Sequence, residues 1–192
     1  SVNPVKMVKL NCVVWFMCMF PLISNAQVKI EKESKVLSSE VPFKSVSWVE
    51  EVFDQKKKLK WYFETSAESH SYEAKFHQKK KKYSVEFSKD GTLEDIEVIV
   101  HWRKLPVEVK YFSEQFLKTK IRKIQIQYTG SDENLKNWIV SKKSDAVEIK
   151  YEVEFYGKTS SEKKLWEGLF DKEGELLMKR EIVLAPSNNL FF

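Results

Sequence analysis

The residues that could do chemistry are few. His70, His77 and His101 are the only histidines, and together they could hold a metal or shuttle a proton. None has the i, i+4 helical spacing around a glutamate that a zinc hydrolase needs. His77 and His101 are both expected to point outward from strands, where solvated histidines are the ordinary case. Glu152 and Glu154 stand two apart, on one face of a strand, a spacing that suits an exposed charge ladder better than a glycosidase acid pair. The acidic stretch "FSKDGTLEDIEV", residues 87 to 98, lacks the alternating oxygen ligands ahead of a sixth-position glycine that a calcium loop of the EF-hand kind requires. There is no G-x-S-x-G elbow, and the five glycines do not cluster to cradle phosphate. The expectation is a protein that is not an enzyme, with no catalytic residue, no metal and no cofactor.

The binding chemistry is richer. Lys79, Lys80, Lys81 and Lys82 form an unbroken basic run at an expected strand-to-strand turn, and Lys56, Lys57 and Lys58 precede the first expected strand. Such a cluster either contacts a polyanion or keeps a hairpin tip soluble. No aromatic residue interleaves with the run, which argues against nucleic acid. Tyr62 and Tyr156 fall on the expected outer face among charged residues, and Trp138 lies in a segment that one half of the chain has in surplus. Tyrosine and tryptophan are the types that anchor protein interfaces, so these three are the candidate partner-binding residues.

These side chains must be positioned by elements the sequence punctuates clearly. Residues 1–26 read as a signal peptide. Lys6 and Lys9 precede an apolar run from Cys12 to Ile23, and Ser24, Asn25 and Ala26 offer a cleavage site before Gln27. That run is shorter than the roughly 20 residues of a membrane span, so no transmembrane segment is expected. Cleavage would remove both cysteines, and the loss of two lysines would lower the formal charge from +5 to +3. Periplasmic or secreted localisation follows.

Beyond an N-terminal segment, 27–40, the chain repeats itself. "YEAKF" at 72 recurs as "YEVEF" at 151, and "FSKDGTLEDIEV" recurs as "FDKEGELLMKREIV" from Phe170. "VPFKSVSWVEEVF" from Val41 matches "LPVEVKYFSEQFL" from Leu105 at a constant offset of 64 residues. Each copy opens with proline at a first helical position. Val46, Val49, Val52 and Phe53 share one helical face, as do Val109, Phe112, Phe116 and Leu117. Strands follow, with Leu59, Trp61 and Phe63, then Tyr72, Ala74 and Phe76, alternating with polar residues. One sheet face is therefore expected to be apolar and the other wet. Asp90-Gly91 and Glu173-Gly174 mark hairpin turns, because glycine accepts positive φ. The expected units are 41–104, 105–184 with an excursion at 131–150, and a C-terminal tail, 185–192. Within the excursion Asp132 is expected to cap a short helix that carries Leu135, Trp138 and Ile139 on one face, with Lys142 and Lys143 at its end.

With the proline-led helices, Trp61, "YEAKF", "KIRKIQIQY", "YEVEF" and "FDKEGELL", the chain resembles the secreted PepSY-like proteins related in fold to beta-lactamase-inhibitor protein. The resemblance runs from Val41 to about Val183. It implies an α+β fold in which two tandem helix-plus-antiparallel-strand repeats join into one curved sheet with helices on one face. It also implies a non-enzymatic envelope protein, for which its relatives suggest inhibition or binding of another protein. The leading expectation is an exported binding protein that presents its polar sheet face to another envelope protein. The alternative is a binder of a small ligand or an envelope polyanion through the lysine-rich hairpin. Oligomeric state is not legible.

Overall fold

The computed structural model describes residues 27–66, 69–110, 120–142, 146–158 and 162–184. The expected signal peptide, Phe112, Phe116 and Leu117 of the second helical face, Lys143 and the C-terminal tail lie outside the described residues. The fold is α+β. Nine strands follow one another in chain order: β1 (Gln27–Val36), β2 (Lys57–Thr65), β3 (His70–Gln78), β4 (Lys81–Ser88), β5 (Leu93–Ile99), β6 (Ile121–Thr129), β7 (Glu148–Lys158), β8 (Lys163–Phe170) and β9 (Leu176–Leu184). Helix α1 (Phe43–Val52) precedes β2, residues 107–110 are helical ahead of β6, and α2 (Asp132–Ser141) joins β6 to β7.

Every consecutive pair of strands is antiparallel. β1 does more than begin the sheet. Residues 32–36 pair antiparallel with β2, while residues 27–31 pair parallel with β9, so the ladder continues from the last strand back to the first. The N-terminal segment is thus a strand of the sheet, which its weakly alternating sequence did not announce.

Strand alternation sorts the side chains onto two faces. The apolar face carries the helices, in two clusters. Val49, Val52 and Phe53 of the α1 region and Leu135 of α2 bury Trp61, Ala74, Phe76, Val85, Phe87 and Ile96. Leu105 and Val109 bury Ile124, Val153, Phe155 and Phe170. Each of the larger side chains among them stabilises by about 2 kcal/mol on burial. The rings interlock: Phe53 meets Phe76 edge-on at 4.7 Å, and Phe76 stacks on Tyr83 at 5.6 Å.

The turns behave as their residues dictate. Gly91 has φ +83°, and the loop closes with Gly91 N donating to Ser88 O at 2.8 Å and Ser88 N to Thr92 O at 2.8 Å. Gly174 has φ +86° in the equivalent place between β8 and β9. Lys79 and Lys80 make the two-residue turn between β3 and β4, both in the left-handed region at φ 48° and 63°. That conformation suits the right-handed twist of the flanking strands but is one lysine adopts less readily than glycine or asparagine.

Candidate functional site

The polar face is not wet. Glu167, Glu73 and Glu154 are 2 %, 4 % and 5 % exposed, and Asp95, Glu97 and Glu152 are also buried. The expectations of an exposed polar face, and of an exposed Glu152–Glu154 ladder, are therefore overturned. Among the described residues no helix covers this face; the sheet curls so that it faces itself. Residues from all nine strands surround one carboxylate-rich cavity of about 240 Å³, lined by eight carboxylates and three cationic side chains, Lys75, Arg122 and Lys123.

Buried charge survives there by pairing. Lys75 Nζ lies 2.8 Å from Glu33 Oε2 and 2.7 Å from Glu73 Oε2. Glu154 receives Arg122 Nη1 at 2.7 Å on one oxygen and Lys123 Nζ at 2.6 Å on the other. Arg180 Nη2 lies 2.6 Å from Glu167 Oε1. Ser84 donates to Glu73, and Gln125 Nε2 donates to Glu97.

The remaining acids feel the crowding. Burial, then the charges of Glu73 and Glu86, push Glu64 up to about 8. Burial, then Glu86 and Glu152, raise Asp95 well above the usual carboxylate range; burial, then Glu152 and Glu86, do the same to Glu97. The lysines move the opposite way to what burial alone would do. Burial disfavours the charge on Lys75, but Glu73 and Glu33 outweigh it, and Glu152 and Glu154 likewise outweigh burial at Lys123, so both are raised.

A second pocket, of about 390 Å³, shares Glu73, Lys75, Glu97 and Lys123 with that cavity and opens at the lysine-bearing end of the sheet. Lys58, Lys60, His77, Lys82 and Ile99 are its exposed liners; Glu73, Phe76, Ser84, Glu97 and Gln125 are its buried ones. Five lysines and two carboxylates line it, so its charge is opposite in sign to that of the cavity behind. The bulge in β2 between Lys57 and Lys60, with Lys58 at φ 58°, lies at its rim, where bulges commonly re-aim side chains. The Lys79–Lys80 turn lies near the end of α2, where burial and then the charges of Lys81 and Lys79 lower the pKa of Lys142.

The candidate residues separate. Of the basic run, Lys82 lines the pocket, while Lys79, Lys80 and Lys81 are exposed and are not among its liners. Tyr62 also lines the pocket, half-buried, with Lys75 Nζ 5.0 Å above its ring. Tyr156 is half-buried on β7 under Lys163, 4.7 Å from the ring, away from the pocket liners. Trp138 packs back on Tyr128 of β6, with centroids 5.6 Å apart, and Lys142 covers it at 5.3 Å. α2 is capped by Ser131, whose Oγ accepts from Asn134 N at 3.3 Å, and not by Asp132. The histidines stand apart: His70 stacks on Phe63 at 5.7 Å, His77 lines the pocket, and His101 lies past the end of β5 and accepts from Arg103 N at 3.3 Å. Sequence reasoning missed the buried acids and Lys75, Lys123 and Gln125.

No family model and no curated protein matches the chain. Solved structures do. A DUF2874 family protein from Bacteroides uniformis superposes with a TM-score of 0.53 at 14% identity, over 73% of this chain and 89% of that one. A protein from Bacteroides eggerthii, described provisionally as periplasmic, gives 0.51 at 12% identity over 73% and 88%. A BLIP-like protein from Bacteroides fragilis gives 0.47 at 13% identity over 73% and 86%, a similarity too low to carry an argument. The first two establish likeness of fold, and nothing of activity.

Proposed function

We propose that this is an exported, non-enzymatic binding protein whose site is the lysine-lined pocket, and that its ligand is a small molecule anchored by an acidic group. The observation that carries the reading is the pocket's composition: five lysines against two carboxylates around about 390 Å³, a size typical of small-ligand sites. The exposed Lys58, Lys60 and Lys82 would attract a carboxylate or phosphate, and Lys75 and Lys123, held charged by their glutamates, would meet it inside. Tyr62 and Ile99 offer apolar surface to the body of the ligand.

Export is supported by the basic, apolar and small-residue order of residues 1–26, and the provisional periplasmic description belongs to a protein of similar fold. Among the described residues no helix is long and apolar enough to cross a membrane. We also propose that 41–104 and 105–184 are two PepSY-like copies of one unit; the glycine turn of each half packs against the start of that half's helix, at Pro42 and at Glu108. The polar sheet face, being buried, is no longer the proposed contact surface.

Native mass spectrometry of the protein recovered from its own envelope tests the function. A discrete small-molecule adduct, lost in the Lys58→Glu/Lys82→Glu variant, is expected. An adduct that persists in the folded double variant would place binding elsewhere.

A further inference from the structure

Four residues other than glycine have positive φ among the described residues, and all four are lysines: Lys58 at 58°, Lys79 at 48°, Lys80 at 63° and Lys142 at 59°. The left-handed region crowds any Cβ against the backbone, and its usual occupants are glycine, asparagine and aspartate. Lysine has no short polar arm to offset that cost with a local hydrogen bond. Backbone held in such conformations is characteristic of sites where function, and not stability, has chosen the residue.

The chain keeps these lysines apart and the fold gathers them. Antiparallel pairing sets the start of β2, the end of β3 and the start of β4 at one end of the sheet: Lys57 faces His77, His77 faces Lys82, and Gln78 faces Lys81. Gln55 N donates to Gln78 Oε1 at 3.2 Å, which ties the segment leaving α1 to the same end. α2 ends there too, since burial and then the charges of Lys81 and Lys79 lower the pKa of Lys142. Lys57, Lys58 and Lys79 to Lys82 are all exposed, and among the described residues none of them makes an ion pair. Of the acids closest in sequence, Glu50 is already taken by Lys56 at 2.5 Å, which leaves Asp54.

We propose that this lysine end of the sheet docks the protein on an anionic bilayer surface. Unpaired charge of one sign at such density draws a surface of the other sign, and lysine is a flexible, strongly hydrated point charge that needs no fixed partner geometry. Headgroups that diffuse within a leaflet offer no fixed geometry. An acidic protein partner would call instead for the forked contacts of arginine and for aromatic anchors. The converging segments, 55–58, 78–82 and Lys142, contain no arginine, tyrosine or tryptophan, and Trp138 packs back on Tyr128. Val140, in the last turn of α2 and 71 % exposed, adds an apolar side chain two residues before Lys142. Lysines that only kept a hairpin tip soluble could flank an Asn-Gly turn; here they occupy the turn itself. Lys79, Lys80, Lys81 and Lys142 are not liners of the ligand pocket, so neither proposal requires the other.

Flotation of the protein, purified from its own envelope, with lipid vesicles tests this directly. Binding to vesicles of phosphatidylglycerol and phosphatidylcholine is expected, weakening as salt is raised, with none to phosphatidylcholine alone. Polyglutamate, standing in for an acidic protein, should compete poorly at matched charge. Lys79→Asn/Lys80→Gly gives the turn the residue pair its backbone prefers and removes two charges. That variant should melt no lower than the parent and bind the anionic vesicles at least about tenfold more weakly. The melting temperature separates a lost surface from a lost fold. No binding to anionic vesicles at low salt, undiminished binding by the variant, a variant that melts below the parent, or competition by polyglutamate as strong as by free anionic vesicles would each overturn the assignment.

Discussion

Glu73 on β3 faces Glu86 on β4 directly across the ladder, and Glu86 in turn faces Asp95 on β5. Like charges opposite one another on exposed strands destabilise by about 0.2–1 kcal/mol a pair, and they do so more strongly away from water. A row of three inside the molecule is therefore an arrangement the fold must neutralise. Lysine does so at Glu73, and at Asp95 burial and the neighbouring charges favour the protonated form.

Protonation makes stability depend on pH in an unusual direction. Glu64 titrates near 8 in the folded protein, against 4.5 when free, so between those values the native state holds a proton that the unfolded chain has released. The stability this provides is complete below the unfolded value and is lost as pH rises through 8. Asp95 and Glu97 shift the same way. The melting temperature should fall between about pH 5 and about pH 8.5, and Glu64→Gln, which cannot ionise, should fall less steeply. Parallel pH profiles for the two proteins would exclude this role for Glu64.

The two glycine turns should tolerate no side chain. A Cβ on Gly174 would collide with Glu108 Cβ and lie 2.9 Å from Val109 N, and φ there is +86°. Backbone cannot yield as a flexible side-chain tip can, and the left-handed conformation alone costs an alanine about 1–2 kcal/mol. Gly174→Ala should lower stability by about 2 kcal/mol or more in chemical denaturation. Gly91→Ala, against Pro42 Cβ at 2.8 Å, should also destabilise. A neutral effect at Gly174 would mean that the turn does not pack on the helical segment.

Trp138 should behave as a packing residue. It lies between Tyr128 and Lys142, half-buried, on the excursion that α2 fills. Trp138→Ala should cost about 2 kcal/mol, less than a fully buried tryptophan, and leave ligand capture by the folded protein intact. An unchanged melting point would return it to the interface candidates.

The strand sequences state which side chains share a face. Glu73 and Lys75, Ser84 and Glu86, Asp95 and Glu97, and Glu152 and Glu154 all alternate with apolar neighbours, and all lie together. What alternation does not carry is curvature. A period of two is the same for a polar face turned to solvent and for one curled upon itself. The curl here accompanies bulges near Lys57, Glu86, Ile121 and Leu169, and the pairing of β1 with β9, whose partners are about 150 residues apart. One further signal was present: once β6 and β7 are paired, Lys123 falls opposite Glu154, and Arg122 at the adjoining bulge reaches the same carboxylate. The helix cap moved by one residue for a local reason, since Ser131 reaches Asn134 N from an extended backbone and leaves Asp132 in the first turn, where the helix dipole favours its charge.

Amide chemical-shift mapping with a panel of small carboxylates and phosphates tests the central claim most directly. Saturable shifts confined to Lys58, Lys60, Tyr62, His77, Lys82 and their neighbours are predicted, weakening with salt and abolished in the folded Lys58→Glu/Lys82→Glu variant. Saturable shifts elsewhere with these residues silent, or no saturable shift with any member of the panel, would contradict the account.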